Sequence, residues 1–448
     1  MEREQQIKLD LDSLCVYKGI FNEGIGDKFR ILVDKISSGE YISECIKAYN
    51  EFIGSLFTVS RNLSFKEAIV SEMLLSNNPF NNSIDESNEI PEFIVAGINN
   101  ELEFLGRIVE VDSKVIKDIL ISKYAPNKEL INRINSLIDF GLSEEKYNPK
   151  NLTDFERIKA KFINEDNWGE KAEYILEFHR RNGTGRAAAF SAFVWERFEN
   201  EEEGHLREIL EPDPIRLKDL IGYESQKQEI ITNTKNFLSG IPSNNLLLYG
   251  SRGTGKSSTV KAILNEFYTQ GLRLIEVDKE QLNDFTRIIR LLKHKKQKFI
   301  IFVDDLVFAD NEASYSALKT ILEGRIENRP DNILIYATTN RRHLVQEKFS
   351  DRDDEVHSKD NQEEKLSLAD RFGITISFFA PDQKEFLKIV DGIVESRGLD
   401  IDTDYLHEEA LKWEKWHNGR SPRSAKQFID WLEGEIRNKD KKEGKKIE

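Results

Sequence analysis

The sequence predicts an α/β protein, with a five-stranded parallel sheet that carries a helical lid and follows a mostly helical N-terminal domain. Three observations support this. Apolar residues recur at helical spacing through residues 1–205, and short apolar segments alternate with helical ones from about Arg216 onward. After Pro381 only helical segments follow. Strands that alternate with helices are typical of a parallel sheet with crossover helices.

Composition narrows the class of protein. The 448 residues are 39% hydrophobic and 32% charged, as in a globular chain of two or three domains. No apolar stretch is long enough to span a bilayer and no signal-peptide core begins the sequence, so we expect a cytoplasmic protein with no membrane partner. Two cysteines are too few for a disulfide framework. Acidic residues outnumber basic ones in residues 1–210, which argues against a broad DNA-binding surface there but leaves room for a local basic groove.

The first half is predicted to be helical around three amphipathic stretches, Ile42–Phe57, Val95–Val109 and Lys114–Leu120. Residues Asn77–Pro91 are predicted to form a loop, because Asn, Ser and Pro dominate them. The acidic run Glu199–Glu203, followed by glycine and prolines, marks the expected junction between the halves.

The second half is predicted to hold five strands and then three lid helices. Each strand segment is short, apolar and rich in β-branched or aromatic residues. The strands are Asn245–Tyr249, Arg273–Val277, Lys298–Asp304, Asn332–Thr338 and Ile374–Phe378, and the helices are Asp382–Ser396, Asp404–Trp416 and Pro422–Arg437.

A complete phosphate-binding pattern, G-x-x-x-x-G-K-[ST], follows the first of these strands. Its glycines allow backbone N–H groups to converge on an anion, and a helix N-terminus points at the same place. Lys256 is expected to reach the β- and γ-phosphates, and the Ser257 hydroxyl to bind Mg²⁺. The residues predicted to hold a nucleoside triphosphate are Gly250, Ser251, Arg252, Gly253, Thr254, Gly255, Lys256, Ser257 and Ser258.

Polar side chains follow the next two strands of the predicted core. Asp304 and Asp305 end an apolar strand, where the first is expected to hold Mg²⁺ and the second to orient or deprotonate the attacking water. Asn340 ends the following strand and can hydrogen-bond the water or the γ-phosphate. Alternatively, Asp304 and Asp305 form only an acidic, solvent-facing turn, and Asn340 lies in an ordinary strand-to-helix turn.

Two arginines complete the candidate catalytic set. Arg371 precedes the last strand and could reach the nucleotide of an adjacent subunit, or else pair with nearby acids. Arg423 lies in the first turn of a helix that Ser421 caps, so it is rigidly based and can aim at the phosphates, or else pair with a surface acid. Arg420, in the loop before that helix, is the weaker candidate for contacting the phosphates.

Taken together, these motifs resemble the AAA+ P-loop ATPases over about residues 216–436. In that resemblance the loop at Gly250–Ser257 is Walker A and Asp304–Asp305 is Walker B. The remaining correspondences are Asn340 with sensor 1, Arg371 with the arginine finger, Arg423 with sensor 2, and Ile221 and Gly222 with the segment that packs on adenine. More narrowly, residues 183–195, 219–224, 248–258 and 322–342 resemble the bacterial family catalogued as domain of unknown function 815.

The resemblance implies an ATP- and Mg²⁺-dependent hydrolase that remodels a protein or nucleic-acid client and self-associates in a ring or arc. Many AAA+ proteins have Asp-Glu where this chain has Asp304-Asp305. The shorter side chain leaves open slow turnover, or a nucleotide-switched scaffold with little hydrolysis. A P-loop kinase is a further alternative. The implied domains are 1–205 for client recognition, 206–380 for nucleotide, 381–437 for the lid, and a basic disordered tail at 438–448.

Overall fold

A computed structural model describes residues 2–59, 64–86, 90–141, 153–197, 204–306, 318–319, 322, 330–340, 371–417 and 419–442. The chain divides into two compact units, Met1–Ala189 and Phe190–Glu448. The division lies sixteen residues before the boundary expected from the sequence. The predicted junction at 199–203 lies outside the described residues.

The first unit is helical, as its amphipathic spacing predicts. Its core contains a cluster of phenylalanines, in which the Phe29 and Phe65 ring centroids are 4.5 Å apart. The buried carboxylate of Glu101 accepts hydrogen bonds from the backbone N–H groups of Val16 and Tyr17, which fixes the chain between the first two helices. The helices are α1 Arg3–Asp12, α2 Gly24–Ser38, α3 Ile42–Val59, α4 Phe65–Leu75, α5 Pro79–Glu86, α6 Glu92–Val109, α7 Ser113–Tyr124, α8 Lys128–Asn135, α9 Asp154–Asn164 and α10 Ala172–Asn182.

Helix α5 corrects the loop predicted over Asn77–Pro91. Asn78 Oδ1 accepts the backbone N–H of Asn81 at 2.8 Å, so Asn78 caps a helix whose first residue is proline. Phe80 and Ile84, four residues apart, are both buried. Burial of this short apolar face outweighs a composition that favours a loop.

The second unit is built on a seven-stranded sheet of order β2-β1-β4-β5-β6-β3-β7. All neighbours are parallel except β1 and β2, which are antiparallel. The strands are β1 Ala192–Glu196, β2 His205–Glu208, β3 Leu246–Gly250, β4 Leu272–Glu276, β5 Lys298–Val303, β6 Ile333–Thr339 and β7 Ile374–Phe378. The five predicted strands and the α/β class are confirmed.

Strands β1 and β2 extend the predicted five-stranded sheet, and they lie where the sequence predicted helix or junction. Phe193 and Trp195 of β1 are each 2% exposed, and the Trp195 indole N–H donates to Asp284 Oδ2 at 3.0 Å. Their burial against β4 places residues 192–196 in the second unit rather than in the helical domain expected to end at residue 205.

Helices cover this sheet and form the lid. Apolar residues of α11 Glu224–Leu238 and α12 Lys256–Phe267 pack in one core with β3, β5, β6 and β7, and α13 Phe285–Leu292 precedes β5. The lid helices α14 Gln383–Arg397, α15 Thr403–Trp416 and α16 Pro422–Lys442 share a separate apolar core.

Helix α16 corrects the predicted tail, because residues 438–442 continue the helix rather than forming disordered chain. These five residues include no glycine or proline, so nothing in them interrupts the helical backbone. Residues 443–448 lie outside the described part of the chain.

Candidate functional site

The phosphate-binding loop is anchored to the end of β7. Gly250 has φ +138°, and a Cβ at that position would lie 2.1 Å from the carbonyl oxygen of Phe378. The Ser251 N–H donates to the same carbonyl at 2.9 Å, and the Ser251 hydroxyl accepts from the N–H of Ala380 at 3.1 Å. Only glycine allows this close approach, so the first glycine of the motif determines where the loop leaves the sheet.

The loop then turns back into α12. Gly253 and Gly255 have φ of +74° and +90°, in the left-handed region that favours glycine. The Thr254 hydroxyl donates to the Ser251 carbonyl at 2.8 Å and is itself buried, which closes the turn. The loop therefore ends at the N-terminus of α12, where backbone N–H groups favour an anion.

Lys256 lies inside this turn and is 6% exposed. Its Nζ donates to the carbonyls of Gly250 and Ser251 at 3.0 and 2.8 Å, and to Asn340 Oδ1 at 3.0 Å. Burial lowers the pKa of its ammonium group, the charges of the two aspartates oppose that shift, and those of Arg423 and Arg252 add to it. The ammonium is therefore held by oxygen acceptors at the mouth of the loop.

Asp304 stands opposite the loop, immediately after β5. Its Oδ1 accepts the Ser257 hydroxyl at 2.6 Å, the Thr338 hydroxyl, and the Asp305 N–H at 3.1 Å. One hydroxyl and one carboxylate 2.6 Å apart are hard oxygen donors of the kind Mg²⁺ prefers. Among the described residues no group of three or more His, Cys, Asp or Glu could hold a metal ion.

Asp305 has an unusual backbone for a residue with a Cβ, since its φ is +49°. Its N–H donates to Thr338 Oγ1 at 2.9 Å, and its Oδ1 accepts Asn340 Nδ2 at 2.7 Å. Because Asn340 also accepts from Lys256, one amide joins the lysine of the loop to the second carboxylate. The structure therefore brings Lys256, Asp304, Asp305 and Asn340 into one hydrogen-bonded group.

The lid touches the loop through the first turn of α16. The Arg423 N–H donates to the Gly253 carbonyl at 3.1 Å, and Ser421 caps the helix by accepting the Ser424 N–H at 3.0 Å. The Arg423 side chain is exposed above the loop. Arg420, by contrast, pairs with Glu414 at 2.8 Å within the lid, and that bond raises the pKa of its guanidinium.

Ile221 and Gly222 lie between the sheet-bearing core and the lid. Ile221 packs against the lid's apolar core, and a Cβ on Gly392 of α14 would lie 2.7 Å from its Cγ2. Gly222 has φ +86° and lies against Ile389 of the same helix. The segment expected to pack on adenine is thus placed against helix α14 of the lid.

Arg371 is the predicted site residue that the structure does not bring to the loop. It lies three residues before Ile374, which is paired with Leu246 at the start of β3, whereas the loop follows the other end of β3. The two ends are separated by the length of β7, about 16 Å for five residues. An arginine side chain cannot span that length, so Arg371 cannot serve the loop of its own chain.

Sequence reasoning missed Thr338, which contacts both aspartates. A hydroxyl at the end of the strand that delivers Asn340 was the available signal, but a threonine within a β-rich segment has an ordinary explanation in strand propensity. The predicted contributions of Arg252 and Ser258 to nucleotide binding rest on their place in the loop alone.

Comparison with known proteins gives matches over part of the chain. The replication factor C large subunit of Staphylothermus marinus is 30% identical over an alignment of 122 residues, and the match covers 25% of this chain and 28% of that protein. The "Probable spastin homolog" of Brugia malayi is 23% identical over an alignment of 240 residues, and the match covers 48% of each chain. The chain thus spans only about a quarter to a half of these relatives.

Among solved structures, the Thermotoga maritima RuvB Holliday junction branch migration motor matches with 18% identity and a TM-score of 0.34, over 47% of this chain and 62% of that one. Among the described helices, none is both long and apolar enough to cross a membrane.

The match to a protein family covers more of the chain than the matches to single proteins. The model described as "Protein of unknown function (DUF815)" matches residues 188–436, which contain the whole seven-stranded sheet and all but the end of the lid. This part of the chain contains the phosphate loop, the paired aspartates and the helical lid that the sequence predicted. Because the match covers more than half of the 448 residues, the protein belongs to the DUF815 family.

Proposed function

We propose that this protein is an ATP hydrolase of the AAA+ type, which uses ATP and Mg²⁺ to remodel a protein or nucleic-acid client. The observation that carries the proposal is the hydrogen-bonded group of Lys256, Asn340, Asp305 and Asp304 at the phosphate loop. It combines a cation for phosphates, oxygen ligands for a metal, and a carboxylate that can bind water. These are the parts that phosphoryl transfer to water requires.

Each residue has a defined task in this proposal. The loop N–H groups and Lys256 bind and orient the phosphates, and Ser257 and Asp304 hold Mg²⁺. The ion, when bound, neutralises charge that develops on the phosphate oxygens. Asp305 accepts a hydrogen bond from the attacking water and aims it, while the Asn340 amide holds the Asp305 carboxylate in place.

Arginines from two sources complete the site. Arg423 lies in the turn of α16 that contacts Gly253. Nucleotide bound in the loop would therefore lie beneath Arg423, and loss of the γ-phosphate would change what the arginine contacts. Arg371 is too far from its own loop, so we assign it to the nucleotide of a neighbouring copy in a ring or arc. ATP-dependent self-association is therefore part of the proposal.

A nucleotide-switched scaffold is the second candidate. The Asp305 carboxylate is one methylene shorter than a glutamate and is hydrogen-bonded to Asn340, which limits its reach toward a water. A protein with this site would bind ATP and change its lid but hydrolyse slowly. Single-turnover hydrolysis distinguishes the two candidates.

We propose that the first unit determines which client the protein binds. The matched relatives, a replication factor subunit and a spastin homolog, are covered too little to decide between a protein and a nucleic-acid client. We expect an Asp305→Asn variant to trap the client in the presence of ATP, and co-purification with this variant identifies whether protein or nucleic acid is bound.

The binding step has a direct test with a matched control. Lys256→Ala should abolish ATP binding, because it removes the cation at the centre of the loop. Lys261→Ala, five residues further along α12, should keep it. Calorimetry with ATP and Mg²⁺ measures both, and unchanged affinity in Lys256→Ala would refute the proposed role of the loop.

A further inference from the structure

One residue outside the predicted site contacts three consecutive residues of the acidic turn. The Thr338 hydroxyl donates to Asp304 Oδ1 and accepts from the N–H of Asp305 at 2.9 Å. The Thr338 carbonyl accepts from the N–H of Leu306 at 2.7 Å. The turn that carries both carboxylates is therefore wrapped around one residue of β6.

Thr338 is held rigidly by the sheet. Its backbone is paired with Leu248 of β3 on one side, and the pairing of β5 with β6 ends one residue earlier, at Val303 and Ala337. Thr338 is thus level with Asp304 across the sheet, and it is 2% exposed. A β-branched side chain buried in a central strand has few rotamers, so its hydroxyl has a fixed position.

The contacts account for the strained backbone of Asp305. A φ of +49° is disfavoured for a residue with a Cβ, and such a conformation persists where surrounding contacts hold it. The hydroxyl of Thr338 satisfies the Asp305 N–H in that conformation. The same hydroxyl, together with Ser257, occupies Oδ1 of Asp304, and each of the hydrogen bonds that the structure describes for this carboxylate falls on Oδ1. Oδ2 is therefore the oxygen available to a metal or its water.

We propose that Thr338 is a positioning residue that sets the geometry of both aspartates for Mg²⁺ and water. This rests on the proposed function of the site, which it deepens. Thr338 touches neither the phosphate loop nor Lys256 in any contact described for it, so its effect should fall on the metal and on the hydrolytic step rather than on nucleotide binding itself.

The test compares Thr338→Val, Thr338→Ser and the control Thr234→Val. Valine keeps the branched shape and the strand preference but removes the hydroxyl, whereas serine keeps the hydroxyl. Thr234 is also a fully buried threonine with a bonded hydroxyl, but it lies on α11 against Tyr336, outside the site. Any general cost of losing a buried hydroxyl therefore appears in the control.

We measure ATP binding in EDTA, the Mg²⁺ concentration for half-maximal tightening of ATP binding, and turnover. Thr338→Val should bind ATP in EDTA like the unmodified protein, yet need roughly tenfold more Mg²⁺ and turn over roughly tenfold more slowly, the effect of losing one hydrogen bond to a charged group. Thr338→Ser should restore both quantities, and Thr234→Val should change neither.

Two results overturn the inference. One is an unchanged Mg²⁺ requirement in Thr338→Val; the other is an equal loss in Thr338→Val and Thr338→Ser, which would indicate a packing role. If the unmodified protein itself hydrolyses no ATP, the proposed hydrolase function fails, and the Mg²⁺ dependence of binding still decides the role of Thr338.

Discussion

The contact between the lid and the phosphate loop can be broken at one glycine without touching the lid. A Cβ on Gly253 would lie 3.0 Å from Ser421 Oγ and 3.1 Å from Arg423 Cβ. Gly255, two residues later, provides a matched control, because a Cβ there would meet nothing within 4 Å. Both glycines have positive φ, so alanine at either costs about 1–2 kcal/mol of backbone strain.

Only Gly253→Ala also displaces α16. The displacement lengthens the hydrogen bond from the Arg423 N–H to the Gly253 carbonyl, now 3.1 Å, which contributes about 1 kcal/mol net. Overpacking at such a contact costs about 1–3 kcal/mol more. The added cost of roughly 2 kcal/mol falls on the lid contact rather than on the sheet.

Hydrogen exchange of the Arg423 amide measures this cost directly. We expect exchange at least about tenfold faster in Gly253→Ala than in the unmodified protein, because roughly 2 kcal/mol less is needed to open the contact. Gly255→Ala should leave the rate of this amide unchanged. Equal rates in the two variants would refute the conclusion that the lid helix rests on the loop at Gly253.

Three further predictions concern the sheet and the site. Gly250→Ala should destabilise the second unit by about 3 kcal/mol or more, since its Cβ would lie 2.1 Å from the Phe378 carbonyl oxygen; urea denaturation measures this, and a change below about 1 kcal/mol would contradict the anchoring of the loop to β7. Trp195→Phe should cost about 1–3 kcal/mol in the same assay, because a buried carboxylate oxygen of Asp284 loses its indole donor, and an unchanged midpoint would show that the indole bond does not help to hold β1. Asn340→Ala should keep ATP binding but slow hydrolysis about tenfold or more in a rapid-quench assay, as the amide no longer holds Asp305; full activity would remove Asn340 from the mechanism.

The elements that the sequence predicts well are those with a local signal. Strand β3, the phosphate loop and α12 follow one another without interruption, and their pattern of apolar residues, glycines and Lys256 is itself a structural pattern. The order of carboxylates and amide after β5 and β6 is equally visible, because carboxyl ends of parallel strands share one edge of a sheet. These residues do converge in the structure.

The features that escaped prediction depend on partners distant in sequence. Strand β1 owes its place to pairing with β4 and to the Trp195–Asp284 bond across 89 residues. Thr338 acquires its role only because β6 lies beside β5, and the Asp305 N–H at its positive φ is bonded by that residue. The helix α5 was missed because two buried side chains outweigh the turn-forming residues around them.

The central claim is that the hydrogen-bonded group at the loop cleaves ATP. Single-turnover hydrolysis of γ-labelled ATP, with protein in excess over nucleotide and Mg²⁺ present, tests it most directly because repeated cycles of product release do not limit the signal. We expect the unmodified protein to release labelled phosphate, and Asp305→Asn to bind ATP without cleaving it. Stable, intact ATP bound by the unmodified protein over many hours would contradict the hydrolase and leave a nucleotide-switched scaffold.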